Sequence, residues 1–136
     1  MQIKSKFFVL CENYQVDPQQ RPSIIKMYDS IFAPDFPATH ALLKYAANIE
    51  IKNAKTTKTV NIQLVLTGPD DDVVFESPVQ EAAIVPHMKD QIIGSVFDIQ
   101  MVPFAKAGRY TATLSVNDDI IESHHVQLRS HLPPEA

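Results

Sequence analysis

The sequence predicts an all-β domain built as two packed antiparallel sheets. Apolar and polar residues alternate over 60–66 and 110–116, and a period of two gives a strand one apolar face. Ten prolines against three glycines favour strands with ordered loops, because proline interrupts helices and is tolerated at strand edges and turns. Turn signals recur between the apolar segments, which predicts about seven or eight short strands in a sandwich.

Each predicted element has its own local signal. The first two strands flank a turn that contains two prolines, which predicts a hairpin. The segment 29–39 contains two further prolines, so we expect an extended loop there and no helix. In chain order eight predicted strands cover residues 3–13, 23–28, 41–51, 60–66, 73–76, 94–102, 109–116 and 120–128. The segment 77–91 is predicted as a crossing connection, in which 82–85 is a candidate for one further edge strand.

Length and charge limit the class of protein. A chain of 136 residues predicts one domain over 1–129 and a tail over 130–136. The formal net charge is −4 and basic residues do not cluster, so we expect no nucleic acid partner. No apolar segment approaches the roughly 18 residues of a membrane span. Cys11 is the only cysteine, which excludes an intrachain disulfide and is compatible with a cytoplasmic protein.

The sequence contains no recognised catalytic or metal-binding motif. His124 and His125 are adjacent in a predicted strand, so their side chains should leave opposite faces and cannot share one metal. The acidic turn 70–72 supplies fewer oxygens than a calcium site needs. Glycine-rich phosphate loops and a nucleophile elbow are missing as well. We therefore expect no cofactor and no metal.

The loop 31–40 is the strongest candidate for a functional segment. It combines Phe32, Asp35, Phe36 and His40 with two prolines, and proline rigidity lowers the entropic cost of presenting a binding surface. We take these four residues as the candidate binding site. A second interpretation stays open, in which the two aromatic rings only cover one end of the core.

The segment 107–112 resembles the tyrosine corner of immunoglobulin-like sandwiches. Gly108 and Tyr110 occupy the matching positions, and the resemblance implies that the Tyr110 hydroxyl bonds to backbone at the corner. The chain departs from that pattern at Lys106, which replaces an acidic residue, and at Ala112, which replaces a cysteine. The resemblance supports an immunoglobulin-like Greek-key architecture and no membership of that family.

A second resemblance spans nearly the whole chain. Four segments, 6–13, 23–25, 31–40 and 108–110, occur in that order in a family of small uncharacterised bacterial proteins. The chain resembles this family, which is a domain of unknown function. The resemblance implies a bacterial origin and a sandwich fold, and it implies no activity, cofactor or catalytic residue.

These observations favour a non-catalytic module that binds another protein or copies of itself. The last strand, 120–128, contains no lysine or proline to discourage edge pairing. If it lies at a sheet edge, we expect it to pair across a two-fold axis in a homodimer; the alternative is that Glu122 and a covering loop guard this edge. One alternative is a small hydrolase-like enzyme that uses His40 and Asp35 as an acid–base pair. Another is a structural component of a phage or secretion assembly.

Overall fold

The computed structural model describes residues 1–19, 21–39, 43–99 and 102–130. Every regular element in these residues is a β-strand, which confirms the predicted all-β class. The twelve strands are β1 (Gln2–Val16), β2 (Pro22–Met27), β3 (Ser30–Phe32), β4 (Ala38–Thr39), β5 (Leu43–Lys52), β6 (Thr59–Thr67), β7 (Val73–Glu76), β8 (Gln80–Ala83), β9 (Asp90–Ile99), β10 (Pro103–Phe104), β11 (Gly108–Val116) and β12 (Asp119–Arg129).

The strands form two main sheets. The four-stranded sheet has the order β2-β1-β5-β9, and the six-stranded sheet has the order β3-β12-β11-β6-β7. β8 is the sixth strand and pairs with the first residues of β6, whereas β7 pairs with its last residues. β4 and β10 make a small separate ribbon. The apolar positions of the alternating strands point between the two sheets and form one buried cluster, in which Tyr45, Ile49, Leu64 and Leu114 are fully buried.

The predicted first hairpin is confirmed, and its far end bends back over the four-stranded sheet. β1 pairs with β5 only from Gln2 to Cys11, and with β2 from Cys11 to Val16. The rings of Phe7 and Tyr14 have centroids 6.4 Å apart, whereas seven residues of straight strand would span about 23 Å. β1 therefore curves, and the residues at its C-terminal end, including Tyr14, lie against the outer face of the four-stranded sheet.

The segment 29–39 contains no helix, as its prolines predict, but it is more ordered than the expected loop. β3 pairs with β12 in parallel, with Ile31 opposite Leu128. β4 then pairs with β10. The sequence did not predict these two short pairings, because three-residue and two-residue strands are too short for a visible alternation. The Phe36–Pro37 peptide bond is cis.

The closing hairpin forms as predicted, and Tyr110 occupies its corner. Tyr110 is 1% exposed, and its hydroxyl donates a 2.8 Å hydrogen bond to the Lys106 carbonyl. Gly108 has a φ of +144°, and a β-carbon there would lie 2.6 Å from Pro69, so this position requires glycine. The hydrogen bond supports the corner, while the Greek-key, immunoglobulin-like connection remains a prediction.

Candidate functional site

The structure separates the residues predicted to form the binding loop. Phe32 ends β3 with 46% of its surface exposed. Asp35 is also exposed, whereas Phe36 is partly buried and packs against the core. One of the two rings therefore covers the core and the other faces solvent. His40 lies outside the described residues, so its pairing with Asp35 remains a prediction.

At a different place, three polar side chains lie in a row from the core to the surface. The Tyr45 hydroxyl lies 3.0 Å from Nδ1 of His124, and Nε2 of His124 lies 3.8 Å from the Asp29 carboxylate. Tyr45 is fully buried, the His124 side chain is 19% exposed, and the Asp29 side chain is 95% exposed. This row thus connects the core to solvent at the edge of β12.

Aromatic packing fixes the His124 ring in this position. The Phe8 and Tyr45 rings stack with centroids 4.8 Å apart, and the His124 ring meets Tyr45 edge-on at 5.5 Å. Burial lowers the pKa of His124 below its usual value, and the Asp29 carboxylate offsets part of this effect. Burial also raises the pKa of Tyr45. Both groups are therefore held neutral near pH 7.

His125 lies on the opposite face of β12, as alternation predicts. Its Nδ1 is 2.9 Å from the Thr111 hydroxyl on the exposed surface, so the two adjacent histidines have separate partners. Among the described residues, no three histidine, cysteine or carboxylate side chains are close enough to hold a metal ion. The acidic turn at 70–72 is closed by backbone hydrogen bonds between Gly68 and both Asp71 and Asp72.

Among the described residues, one side of β12 is unpaired over much of its length. β3 pairs only with Gln127, Leu128 and Arg129, and no other described strand pairs with β12 on the side away from β11. We call residues 120–126 on this side the open edge. β12 therefore meets the condition for edge pairing over its first two thirds, and β3 covers the rest.

The backbone direction along the open edge follows from the bonds made by β3. The Gln127 amide donates to the Asp29 carbonyl, and the Arg129 carbonyl accepts from Ala33. Because adjacent residues of a strand direct their backbone groups to opposite sides, His125 and Ser123 also point their N–H and C=O groups away from β11. These groups face the open edge.

Comparison with known proteins identifies the family and the fold. A family described as "Family of unknown function (DUF6941)" matches residues 6–129. The chain belongs to this family. The resemblance to an uncharacterised family is thereby confirmed, while its bacterial origin remains a prediction. No curated protein matches the chain.

Solved structures with a similar fold are parts of larger enzymes. The chain is 12% identical to Pseudomonas fluorescens alkylpurine DNA glycosylase AlkC, with a TM-score of 0.53 over 93% of this chain and 30% of that one. It is 10% identical to the β-D-glucoside glucohydrolase of Trichoderma reesei, with a TM-score of 0.56 over 94% of this chain and 19% of that one. At these identities the likeness concerns the fold alone.

Sequence reasoning missed most of the residues that the structure brings together. Asp29 and Tyr45 carry no motif, and their proximity to His124 depends on how the two sheets stack. One available signal was the position of His124 within its strand, because it shares a face with Val126 and Leu128. That pattern places an imidazole on the core side of β12.

In the described part of the chain, no helix has the length and apolar character needed to cross a membrane.

Proposed function

We propose that this protein is a non-catalytic assembly module that binds a second copy of itself through the open edge of β12. The observation that carries the proposal is the unpaired backbone at Ser123 and His125, described above. Unpaired N–H and C=O groups on a strand edge form a template for another strand. Two identical edges that pair in antiparallel orientation generate a closed two-fold dimer.

We place the two-fold axis at His124, because this register uses both residues whose backbone groups face the edge. With the two-fold axis at His124, Ser123 of each copy lies opposite His125 of the other, and about four backbone hydrogen bonds form. The register shift at Leu114 and Ser115 leaves Ile121 without a partner on β11, and β3 occupies the edge from Gln127 onward. The shared stretch is therefore short, and we expect a weak, reversible dimer.

The two neighbouring strand edges differ in their protection. The N-terminal half of β1 also lacks a partner on its outer side among the described residues, but it carries exposed Lys4 and Lys6. Lysine on an edge discourages pairing because its charge must be desolvated. β12 has no lysine or proline, which favours β12 over β1 as the strand that pairs.

Substitution at Ser123 tests the proposal directly. Because the Ser123 amide faces the open edge, Ser123→Pro should remove a dimer bond and leave the bonds to β11 in place. Ser123→Ala is the matched control, since it removes the hydroxyl and keeps the amide. Sedimentation velocity over a concentration series at pH 7.5 should show dimerisation of the wild type and of Ser123→Ala, and a monomer for Ser123→Pro.

Two results would contradict the proposed dimer. One is a wild-type monomer at every concentration, and the other is a Ser123→Pro dimer as tight as that of the wild type. Circular dichroism confirms that each variant is folded. If Ser123→Pro does not fold, Ser123→Lys places a charge at the same point and should also give a monomer.

Acid should weaken the dimer if the axis lies at His124. The two His124 side chains then face each other across the axis, and two imidazolium ions at that distance repel. Because burial lowers the pKa of His124, dissociation that begins well below pH 6.5 supports this register. A dimer that is indifferent to acid removes the histidine mechanism and leaves the edge pairing intact.

The location of the protein is part of the same proposal. We place it in the bacterial cytoplasm, because its single cysteine is buried and the fold depends on no intrachain disulfide. Burial raises the pKa of the Cys11 thiol, which makes it a poor nucleophile.

A further inference from the structure

Two residues of β9 turn their backbone groups away from the rest of the four-stranded sheet. The Val96 carbonyl accepts a bond from the Gln80 side chain, so Val96 directs its backbone groups away from β5. This direction alternates along a strand, and the pairing of β9 with β5 has no register shift. Ile92 and Gly94 therefore also turn their N–H and C=O groups outward. In the described part of the chain neither has a backbone partner on that side, and we call these groups the β9 edge.

A cleft lies beside the β9 edge, between the bent end of β1 and the outer face of the four-stranded sheet. Residues of four strands line it, namely Tyr14, Val16, Pro22, Asn48, Ile92 and Gly94. Its volume is about 420 Å³, which lies within the range of ligand pockets in proteins. We call this feature the outer cleft. Because Ile92 and Gly94 belong to both features, a strand that pairs with the β9 edge also reaches the cleft.

Gly94 leaves an opening in the floor of the outer cleft, directly opposite Asn48. A β-carbon at Gly94 would lie 3.5 Å from the Asn48 Oδ1 and 3.6 Å from the Tyr14 hydroxyl oxygen. An acceptor and a hydroxyl group therefore border the same space. Within the described part of the chain, neither of them forms a hydrogen bond. An occupant that fits this space must donate to the Oδ1 atom.

We propose that the β9 edge binds an extended peptide, which places a tyrosine side chain in the outer cleft opposite Gly94. In an antiparallel pair, Gly94 and Ile92 each exchange two hydrogen bonds with the peptide, about four in all. Directly opposed residues share one face of a sheet, so the peptide residue opposite Gly94 projects its side chain over the glycine. Aromatic side chains on a neighbouring strand cover glycines in sheets in this way.

The hydroxyl group and the length of tyrosine match the polar groups of the cleft. A hydroxyl both donates and accepts, so it donates to the Asn48 Oδ1 and accepts from the Tyr14 hydroxyl. Opposed β-carbons lie about 5 Å apart, and a tyrosine ring laid across Gly94 spans this gap, whereas a serine or threonine hydroxyl stays on its own strand. Phenylalanine leaves Oδ1 without a donor. Lysine and arginine lose hydration among lining residues that carry no charge.

This proposal does not depend on the proposed dimer. The β9 edge belongs to the four-stranded sheet and the open edge to the six-stranded sheet. Ser123→Pro should therefore abolish self-association and leave peptide binding unchanged. Loss of both properties in that variant would indicate general unfolding, which circular dichroism detects.

Two capped, fluorescein-labelled peptides test the proposal, Ser-Thr-Thr-Tyr-Thr-Val-Ser and the same sequence with phenylalanine in place of tyrosine. Anisotropy should show saturable binding of the tyrosine peptide and an affinity at least about fivefold lower for the phenylalanine peptide. Methylation of the tyrosine amide nitrogen removes a bond to Gly94 and should also weaken binding. In amide NMR, Ile92 and Gly94 should shift and become protected from exchange when the tyrosine peptide binds.

A double-mutant cycle locates the tyrosine hydroxyl. Asn48→Ala should weaken the tyrosine peptide at least about fivefold and should not weaken the phenylalanine peptide. Gly94→Val fills the space over the floor and should remove the preference for tyrosine. The strand tolerates this change, because a β-carbon at Gly94 makes only ordinary contacts. Asn61→Ala is the matched control, since it removes the same side chain from the outer face of the other sheet.

Four results would overturn the proposal. The first two are a lack of saturable binding and equal affinity of the wild type for the two peptides. The third is a set of NMR shifts at Ser123 and His125 in place of Ile92 and Gly94, which would assign the peptide to the open edge. The fourth is protection of Ile92 and Gly94 that rises with protein concentration without peptide, which would assign β9 to self-association. If Asn48→Ala does not fold, the comparison of the two peptides on the wild type decides.

Discussion

The two long sides of the sandwich are sealed by different chemistry. On the side where β8 meets β9, the Gln80 amide donates to the Val96 carbonyl at 3.0 Å and accepts from the Ser95 hydroxyl at 2.5 Å. On the side where β1 approaches β12, ring packing and the Tyr45–His124 contact fill the gap. The first side joins the sheets through groups that do not titrate, and the second depends on an imidazole.

This difference changes what the two sides offer to another chain. Neutral hydrogen bonds between the sheets make the β8–β9 side a fixed part of the core. The β12 side instead leaves backbone groups unpaired and holds a neutral histidine beside them. A small sandwich can thus keep one stable side and retain one edge for assembly, beside a histidine that burial keeps neutral at pH 7.

Gln80→Ala should have the largest effect on stability. The substitution leaves the Ser95 hydroxyl and the Val96 carbonyl without their partner, and Ser95 is only 6% exposed. We expect the free energy of unfolding in urea to fall by about 2 kcal/mol. Gln91→Ala is the matched control, because Gln91 makes two similar bonds to Val85 at an exposed position. Equal losses in the two variants would contradict the special role of the β8–β9 side.

Tyr110→Phe should have a smaller effect on stability. It measures the contribution of one buried hydroxyl hydrogen bond that belongs to neither the β8–β9 side nor the β1–β12 side. Removing the bond to the Lys106 carbonyl should cost about 1 to 2 kcal/mol. Tyr14→Phe is the comparison, since the Tyr14 hydroxyl has no hydrogen bond among the described residues, and its loss should change stability by less than about 0.5 kcal/mol. Identical urea midpoints for Tyr110→Phe and the wild type would argue against a corner role.

The strands with clear alternation were predictable, and the contacts between distant elements were not. The segments 60–66 and 110–116 have a period of two and fold as β6 and β11, and the Tyr110 bond follows from a local pattern. β3 and β4 are too short to show alternation, so the sequence predicted a loop where the structure has the β3–β12 and β4–β10 pairings. Tyr14 lies beside Gly94 only because β1 bends back, and no local pattern in the sequence reports such a bend.

A third prediction concerns acid and the β12 side. Burial lowers the pKa of His124 in the folded state relative to its value near 6.5 in the unfolded chain. The unfolded state therefore binds a proton first as the pH falls. The contribution of neutral His124 to the free energy of unfolding is fully present above pH 6.5, and it is lost as the pH falls from there towards the folded-state pKa. Urea titrations between pH 8 and pH 5 should show this decline.

Two histidine variants isolate the source of the acid effect. Charged or titratable groups near His124 include Asp29, His125 and Glu122, and Tyr45 contacts its ring. His124→Asn should flatten the stability profile between pH 8 and pH 5. His125→Asn is the matched control and should keep the wild-type profile, because His125 lies on the exposed face. If the profile changes only in His125→Asn, the loss of stability in acid comes from the exposed face of β12, which contradicts the role of His124.

Amide hydrogen exchange at Ser123 and His125 tests the central claim most directly. Both amides face the open edge, so they should exchange rapidly in dilute protein at pH 7.5 and become protected as the concentration rises and the dimer forms. The Val126 amide faces β11 and should be protected at every concentration. Protection of Ser123 and His125 that does not change with concentration would contradict assembly through this edge.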